Sequence, residues 1–215
     1  MRSLKHNNSG LTLVELVVTI AILAVASTAI MGFLTVSTRQ YGKGNNEVSL
    51  QYEAQLASNQ LMNLILDTKK GIRYEYATSS GSNVIHSDAD IPSVSDVISK
   101  TVYLYAEDTT TLGASDTYYE IVWDKAAKKL YLTQYVYDDS RATWVPDHDS
   151  LLNKEQGLLS NYVEDFSLDL TQVEKEKRLQ LNIKYKNESE YNVDQNIALR
   201  NKISIDKTYI EIFGH

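Results

Sequence analysis

Residues 9–34 read SGLTLVELVVTIAILAVASTAIMGFL. From Leu11 to Leu34 this stretch holds one charge, Glu15. As a helix it reaches roughly 36 Å, enough to cross a hydrocarbon core of about 30 Å. Arg2 and Lys5 precede it, followed by a polar HNNSG. Positive residues on that flank keep it cytoplasmic and send the rest of the chain across. Arg39 and Lys43 on the far flank weigh the other way, but no later segment is apolar enough to return. Glu15 is the anomaly. A carboxylate in lipid costs at least a few kcal/mol unless a partner compensates it.

Three plain readings meet this stretch. A cleaved secretory signal would use Ala24-Val25-Ala26, an A-x-A site. Glu15 would then interrupt the apolar core of the signal, and cutting after Ala26 would strand STAIMGFL on a soluble product. A simple single-pass anchor explains the length and leaves Glu15 unexplained. A glutamate one turn into the run can also snorkel to the headgroups.

A basic leader ending in Gly10, then Leu11, Thr12, Leu13, Val14 and Glu15, then an unbroken apolar run, resembles the class III signal of type IV pilins and type II secretion pseudopilins. The resemblance implies that prepilin peptidase cuts between Gly10 and Leu11 and that the new Leu11 amine is methylated. It also implies that Glu15 pairs with the N-terminal amine of a neighbouring subunit, setting axial register in a filament. Its implied partners are other pilins or pseudopilins, an assembly platform protein and an ATPase. Two positions depart from the family pattern. Leu11 stands where Phe is usual. Gly32 stands where many major pilins carry a helix-breaking proline, so local helix melting there is less strongly imposed. Glycine weakens a helix by about 1 kcal/mol against alanine.

The expected organisation is a leader at 1–10, a transmembrane or filament-core helix at 11–34, an amphipathic helical half at 35–70 and an extracytoplasmic head at 71–215. In the amphipathic half, Val48, Tyr52, Leu56, Asn59, Met62 and Leu66 recur at helical spacing, and Leu50, Ala54, Ala57, Leu61 and Leu64 line a neighbouring face. One stripe holds the helix against the sheet that follows. Gly42 and Gly44 mark a weak point before it. DTKKG at 67–71 reads as a helix stop with Gly71 as the capping glycine.

The rest alternates as strands do. GIRYEYAT and TVYLYAED are single strands, with a polar loop-like insert between them. TYYEIVWDKAAKKLYLTQYVYDD is a hairpin turning over Lys125 to Lys128, with Tyr119, Ile121 and Trp123 facing Leu130, Leu132 and Val136. DSRATWVPDHDSLLNKEQG is a long loop. NYVEDFSLDLTQ and RLQLNIKYKN form a second hairpin around a solvated charged turn, Glu174 to Lys177. IALRNKISIDK and TYIEIF close the chain as strand-like runs. No helix–strand alternation appears, so the class is α+β with an antiparallel sheet. YVEDFSLDL and IALRN resemble J-type pseudopilins and W-type minor pilins.

Composition removes several chemistries. The 215 residues contain no cysteine, which excludes disulfides and thiolate sites. A net charge of -7 makes nucleic acid a poor partner. None of the four histidines, His6, His86, His148 and His215, falls in a metal-binding spacing. The acidic residues Asp147 and Asp149, near Asp138 and Asp139, are a weak calcium candidate matching no EF-hand. No other cofactor is expected. Trp123, Trp144 and the many tyrosines form either a sugar- or protein-binding face or cross-strand packing pairs. The expected function is a non-enzymatic minor pilin or pseudopilin. The alternative is a membrane-anchored extracellular binding or adhesin module that never polymerises.

Overall fold

The computed structural model describes residues 12–106, 117–138, 140–141, 143–147, 157–208 and 211. It is α+β: a long N-terminal helix followed by an antiparallel β-rich head. Helix α1 runs Leu13–Asp67. The chain separates into two compact units inside this helix, one ending at Asn46 and the other beginning at Glu47.

In the first unit, the large apolar side chains of α1 are exposed among the described residues. Leu13, Val17, Ile20 and Leu23 are exposed, and Phe33 is 72% exposed. Threonine hydroxyls within the apolar stretch are satisfied by their own helix. Thr19, Thr28, Thr35 and Thr38 Oγ1 donate to the carbonyls of Glu15, Val25, Met31 and Leu34 at 2.6 to 2.8 Å. Back-bonding of this kind lets a hydroxyl sit in an apolar helix without an unmet donor. The helix runs unbroken through Gly32, where an added Cβ would meet nothing within 4 Å.

In the second unit, the remaining part of α1 buries Leu50, Ala54, Ala57, Ser58, Leu61 and Ile65. Of the two expected stripes, the one starting at Leu50 is therefore the packed one. Val48, Tyr52 and Leu56 stay exposed. The helix ends differently from the expected stop. Thr68 N–H donates to Ile65 O at 3.3 Å and its hydroxyl to Leu64 O at 2.9 Å. Lys69 and Lys70 lie beyond the end, and Gly71 is the first residue of a strand because the sheet, starting with Lys70 N–H to Tyr105 O, claims the backbone at once.

The strands are β1 Gly71–Thr78, β2 Gly81–Val84, β3 Ser99–Tyr105, β4 Thr117–Asp124, β5 Lys129–Asp138, β6 Thr143–Pro146, β7 Gly157–Ser160, β8 Val163–Asp169, β9 Arg178–Lys186, β10 Glu190–Ala198 and β11 Ser204–Ile205. The larger sheet runs β11-β1-β3-β4-β5-β6, with β2 on β1 and β7 on β5; the smaller runs β10-β9-β8. Both expected hairpins form. Asp124 faces Lys129 across the first turn, and Ile121 faces Leu132. The charged turn of the second hairpin is one helical turn, α2 Val173–Glu176, closed by Lys177 in the left-handed conformation (φ 53°). Val173 inside it is buried, so this turn is anchored by an apolar residue.

Four expectations need correction. The insert after β1 contains β2 and two 3-10 turns, Asp88–Asp90 and Val94–Asp96. The long loop contains β6 and β7, short strands that complete pairing on β5. Among the described strands, pairing is antiparallel except for β1 with β11, a two-residue parallel contact. In the last run, Glu211 is helical, capped by Thr208, rather than extended; Tyr209, Ile210 and residues 212–215 lie outside the described residues.

One apolar cluster unites the second unit. It joins Leu50, Leu61 and Ile65 of α1, Ile72, Val102, Leu104, Ile121 and Leu132 of the larger sheet, and Phe166, Leu168, Leu181 and Ile183 of the smaller. Period-two alternation places these residues on the inner faces.

Candidate functional site

The N-terminal candidates divide at the edge of the described residues. Arg2, Lys5, Gly10 and Leu11 lie outside them. Glu15 lies in the first turn of α1. Its Oε2 accepts from Thr12 N–H and from Thr12 Oγ1, both at 3.0 Å, and Thr12 Oγ1 accepts from Glu15 N–H at 3.3 Å. This is a reciprocal capping box: Thr12 closes the helix end and Glu15 reaches back three residues. TLVE at 12–15 carries its T-x-x-E pattern, so sequence reasoning that looked only for an external partner missed a local one. Glu15 thus has a ready acceptor role at the N-terminus of its own helix, where negative charge is favoured.

In the head, the acidic loop candidate is only partly described. Asp139, His148 and Asp149 lie outside the described residues. Asp138 Oδ1 accepts from Ser140 N–H at 2.9 Å and from Ser140 Oγ at 2.5 Å, a turn-forming pattern. Asp147 N–H donates to Gln134 O at 3.0 Å. Among the described residues no group of three acidic or histidine side chains is arranged to hold a metal. His86 is half-exposed, with Nε2 at 2.6 Å from Asp206 Oδ2.

The two tryptophans separate. Trp123 points into the core, where Nε1–H donates to Val163 O at 3.0 Å. Trp144 lies across the sheet, among tyrosines. Tyr118 stacks on Tyr135 with ring centres 4.8 Å apart and meets Trp144 edge-on at 4.8 Å; Tyr137 meets Trp144 at 5.3 Å. These are cross-strand packing pairs. Glu120 sits among them, hydrogen-bonded to Tyr135 and Tyr103. Burial raises its pKa above the usual glutamate value despite those bonds. Burial, then the Glu120 charge, pushes the Tyr135 hydroxyl up to about 12.

The most concentrated polar group in the core escaped sequence reasoning. Lys100, on the inner face of β3, is 1% exposed. Its Nζ donates to Asp88 Oδ2 at 2.5 Å, Asp165 Oδ1 at 2.9 Å and Phe166 O at 2.8 Å, and lies 5.1 Å from the Trp123 ring centre. Tyr74 O–H donates to Asp88 Oδ1 at 2.7 Å. Burial, then the Asp88 charge, raises the Tyr74 pKa well above its ordinary value, so its proton stays. In KTVYLY, residues 100–105, period-two alternation puts Lys100 on the Val102 and Leu104 face. That lone lysine on an apolar face was the available signal.

Residues 5–31 match the prokaryotic N-terminal methylation motif. This match supports the type IV pilin and pseudopilin family, whose class III signal it is. It supports a type IV pilin-like substrate of prepilin peptidase, and with the apolar start of α1 it supports membrane anchoring. No curated protein and no solved structure matches the chain.

Proposed function

We propose that the chain is a minor pilin or pseudopilin, a non-enzymatic subunit of a pilus-like or secretion-type filament. The supporting observation is the methylation motif at 5–31 leading into an apolar helical segment whose large side chains are exposed among the described residues. Arg2 and Lys5 orient insertion with the N-terminus cytoplasmic. Prepilin peptidase removes residues 1–10 between Gly10 and Leu11, and Leu11 becomes the methylated terminus. The apolar helix waits in the bilayer. An assembly platform and ATPase then draw it among its neighbours' helices, where packing replaces lipid. Glu15 exchanges its capping contacts for a neighbour's Leu11 amine and so sets register. The head from 71 onward faces the extracytoplasmic side.

The mass of the mature N-terminus tests this reading. The expected product begins at methylated Leu11; an intact Met1 or a start at Ser27 overturns it. Glu15→Ala is expected to leave cleavage unchanged and to lower the filament-incorporated fraction. Unchanged incorporation removes the register role.

A further inference from the structure

Tyr74 of β1, Asp88 of the 3-10 turn, Lys100 of β3 and Asp165 of β8 come from four separate elements of the head and meet around one buried ammonium. The arrangement contains each part an amide-forming step needs. Lys100 Nζ is a nucleophile whose surroundings are apolar on the Trp123 side. Asp88 offers an electrophilic carboxyl carbon, one oxygen of which is 2.5 Å from Nζ. Asp165 Oδ1, 2.9 Å from the same nitrogen, is a proton acceptor. Tyr74 O–H, 2.7 Å from the other Asp88 oxygen, is a donor aimed where negative charge builds when the carbonyl is attacked. Phe166 O, at 2.8 Å, fixes the third N–H and hence the direction of the nitrogen.

We propose that Lys100 and Asp88 condense into an intramolecular isopeptide bond. The ammonium first passes a proton to Asp88, giving a neutral amine beside a neutral carboxylic acid. Nζ attacks the Asp88 carboxyl carbon, and Tyr74 stabilises the oxyanion. Asp165 takes a proton from nitrogen and delivers it to the departing hydroxyl. A C–N bond forms, a C–O bond breaks, and one water leaves. One positive and one negative charge are consumed together, so the protein's net charge is unchanged and no oxidant or reductant is needed.

Two physical terms favour the step. A buried ammonium with a carboxylate partner is expensive to keep desolvated, and the amide product carries no charge. Holding nucleophile and carboxyl in contact also replaces a bimolecular encounter by an intramolecular one, which raises the effective concentration by orders of magnitude. The side chains of Asp88 and Asp165 are 32% and 36% exposed, so the leaving water has a route out. The product ties the 3-10 turn at Asp88–Asp90 to the inner face of β3, closing the insert between β1 and β3 onto the core.

Peptide mass spectrometry on the full chain, purified in detergent and digested with trypsin, decides the matter without a variant. An isopeptide blocks cleavage after Lys100. The expected product is one peptide spanning 74–125, lighter than the linear chain by one water, in which backbone breaks between Asp88 and Lys100 release no fragments. Separate peptides 74–100 and 101–125 at full mass would overturn the proposal. So would a peptide 74–100 that lacks a water but ends at Lys100, since that is an aspartyl succinimide. A branched product joining Lys100 to Asp165 would overturn the assignment of Asp88. Asp165→Asn keeps both bonding partners and is expected to return cleavage at Lys100; a fully linked Asp165→Asn chain removes Asp165 from the step.

Discussion

The two units of this molecule put similar apolar residues to opposite uses. Up to Asn46, leucine, isoleucine, valine and phenylalanine stand exposed on a helix. From Glu47 onward the same residue types close a core in which Ile72, Leu104, Leu130 and Leu181 have no exposure. The difference lies in spacing. In the first unit the apolar run is continuous around the helix, which suits a surrounding apolar phase and defines no single buried face. In the second, apolar residues recur at three and four along α1 and at two along the strands, so each element has one inside. Hydrophobic content alone therefore does not locate the fold. Its period does.

The comparison breaks most directly by truncating equivalent residues in each unit. Leu181→Ala in β9 is expected to lower head stability by about 2–5 kcal/mol, because a fully packed leucine leaves a cavity. Leu23→Ala, on the exposed part of α1, is expected to leave the head's unfolding midpoint unchanged and to weaken membrane partitioning instead. Denaturant unfolding of both variants in detergent, followed by tryptophan fluorescence from Trp123, checks the pair. A shift of the head midpoint by Leu23→Ala would show that the first unit carries head stability after all.

A second test sharpens how the helix is fastened within the head. Glu53, on α1, accepts from Ser160 Oγ at 3.0 Å and from Asn161 N–H. Bonds to a charged acceptor exceed neutral ones, and removing the acceptor takes the partner from Asn161 N–H, while Ser160 Oγ keeps the longer bond to Asn161 O at 3.4 Å. Glu53→Ala is expected to destabilise the head by about 1–2 kcal/mol, allowing for partial exposure. Glu53→Gln, which keeps an acceptor, should recover part of that. Equal losses for both variants would assign the effect to the charge.

Much of this fold is legible from the sequence because its signals are local. The apolar run, the Leu50 stripe and both hairpins depend on residues within about twenty positions of each other. Register across Asp124 and Lys129 follows from the turn that joins them. What stayed illegible depends on distance along the chain. Lys100 is a single charge at the head of KTVYLY, residues 100–105, until Asp165, 65 residues away, reaches it. Trp123 and Trp144 look equivalent in sequence, yet opposite strand parity sends one into the core and the other into the tyrosine cluster. The Thr12–Glu15 capping box was local and readable, but the resemblance drew attention to a partner outside the chain. The short strands β6 and β7 were hidden by their polar flanks and exist only because β5 offers them an edge.

The smallest expected effect concerns the outer face of the larger sheet, where polar and apolar groups share one surface. Glu120 has a raised pKa because burial outweighs its hydrogen bonds from Tyr135 and Tyr103. Its carboxyl therefore holds a proton in the folded head at pH values where the unfolded chain has released it. In that window the folded state binds more protons, so stability falls as pH rises. The contribution is fully present below the ordinary glutamate value of 4.5 and is lost as pH rises through the raised folded value. Glu120→Gln keeps a carbonyl oxygen for the tyrosine hydroxyls and cannot ionise. Its stability should be flatter than wild type across the range just above pH 4.5, with the two curves converging at the acid end. Denaturant midpoints measured at successive pH values test this. Parallel curves would mean that the Glu120 carboxylate is as well solvated in the head as in the unfolded chain, and that the tyrosine face is wet where the fold makes it dry.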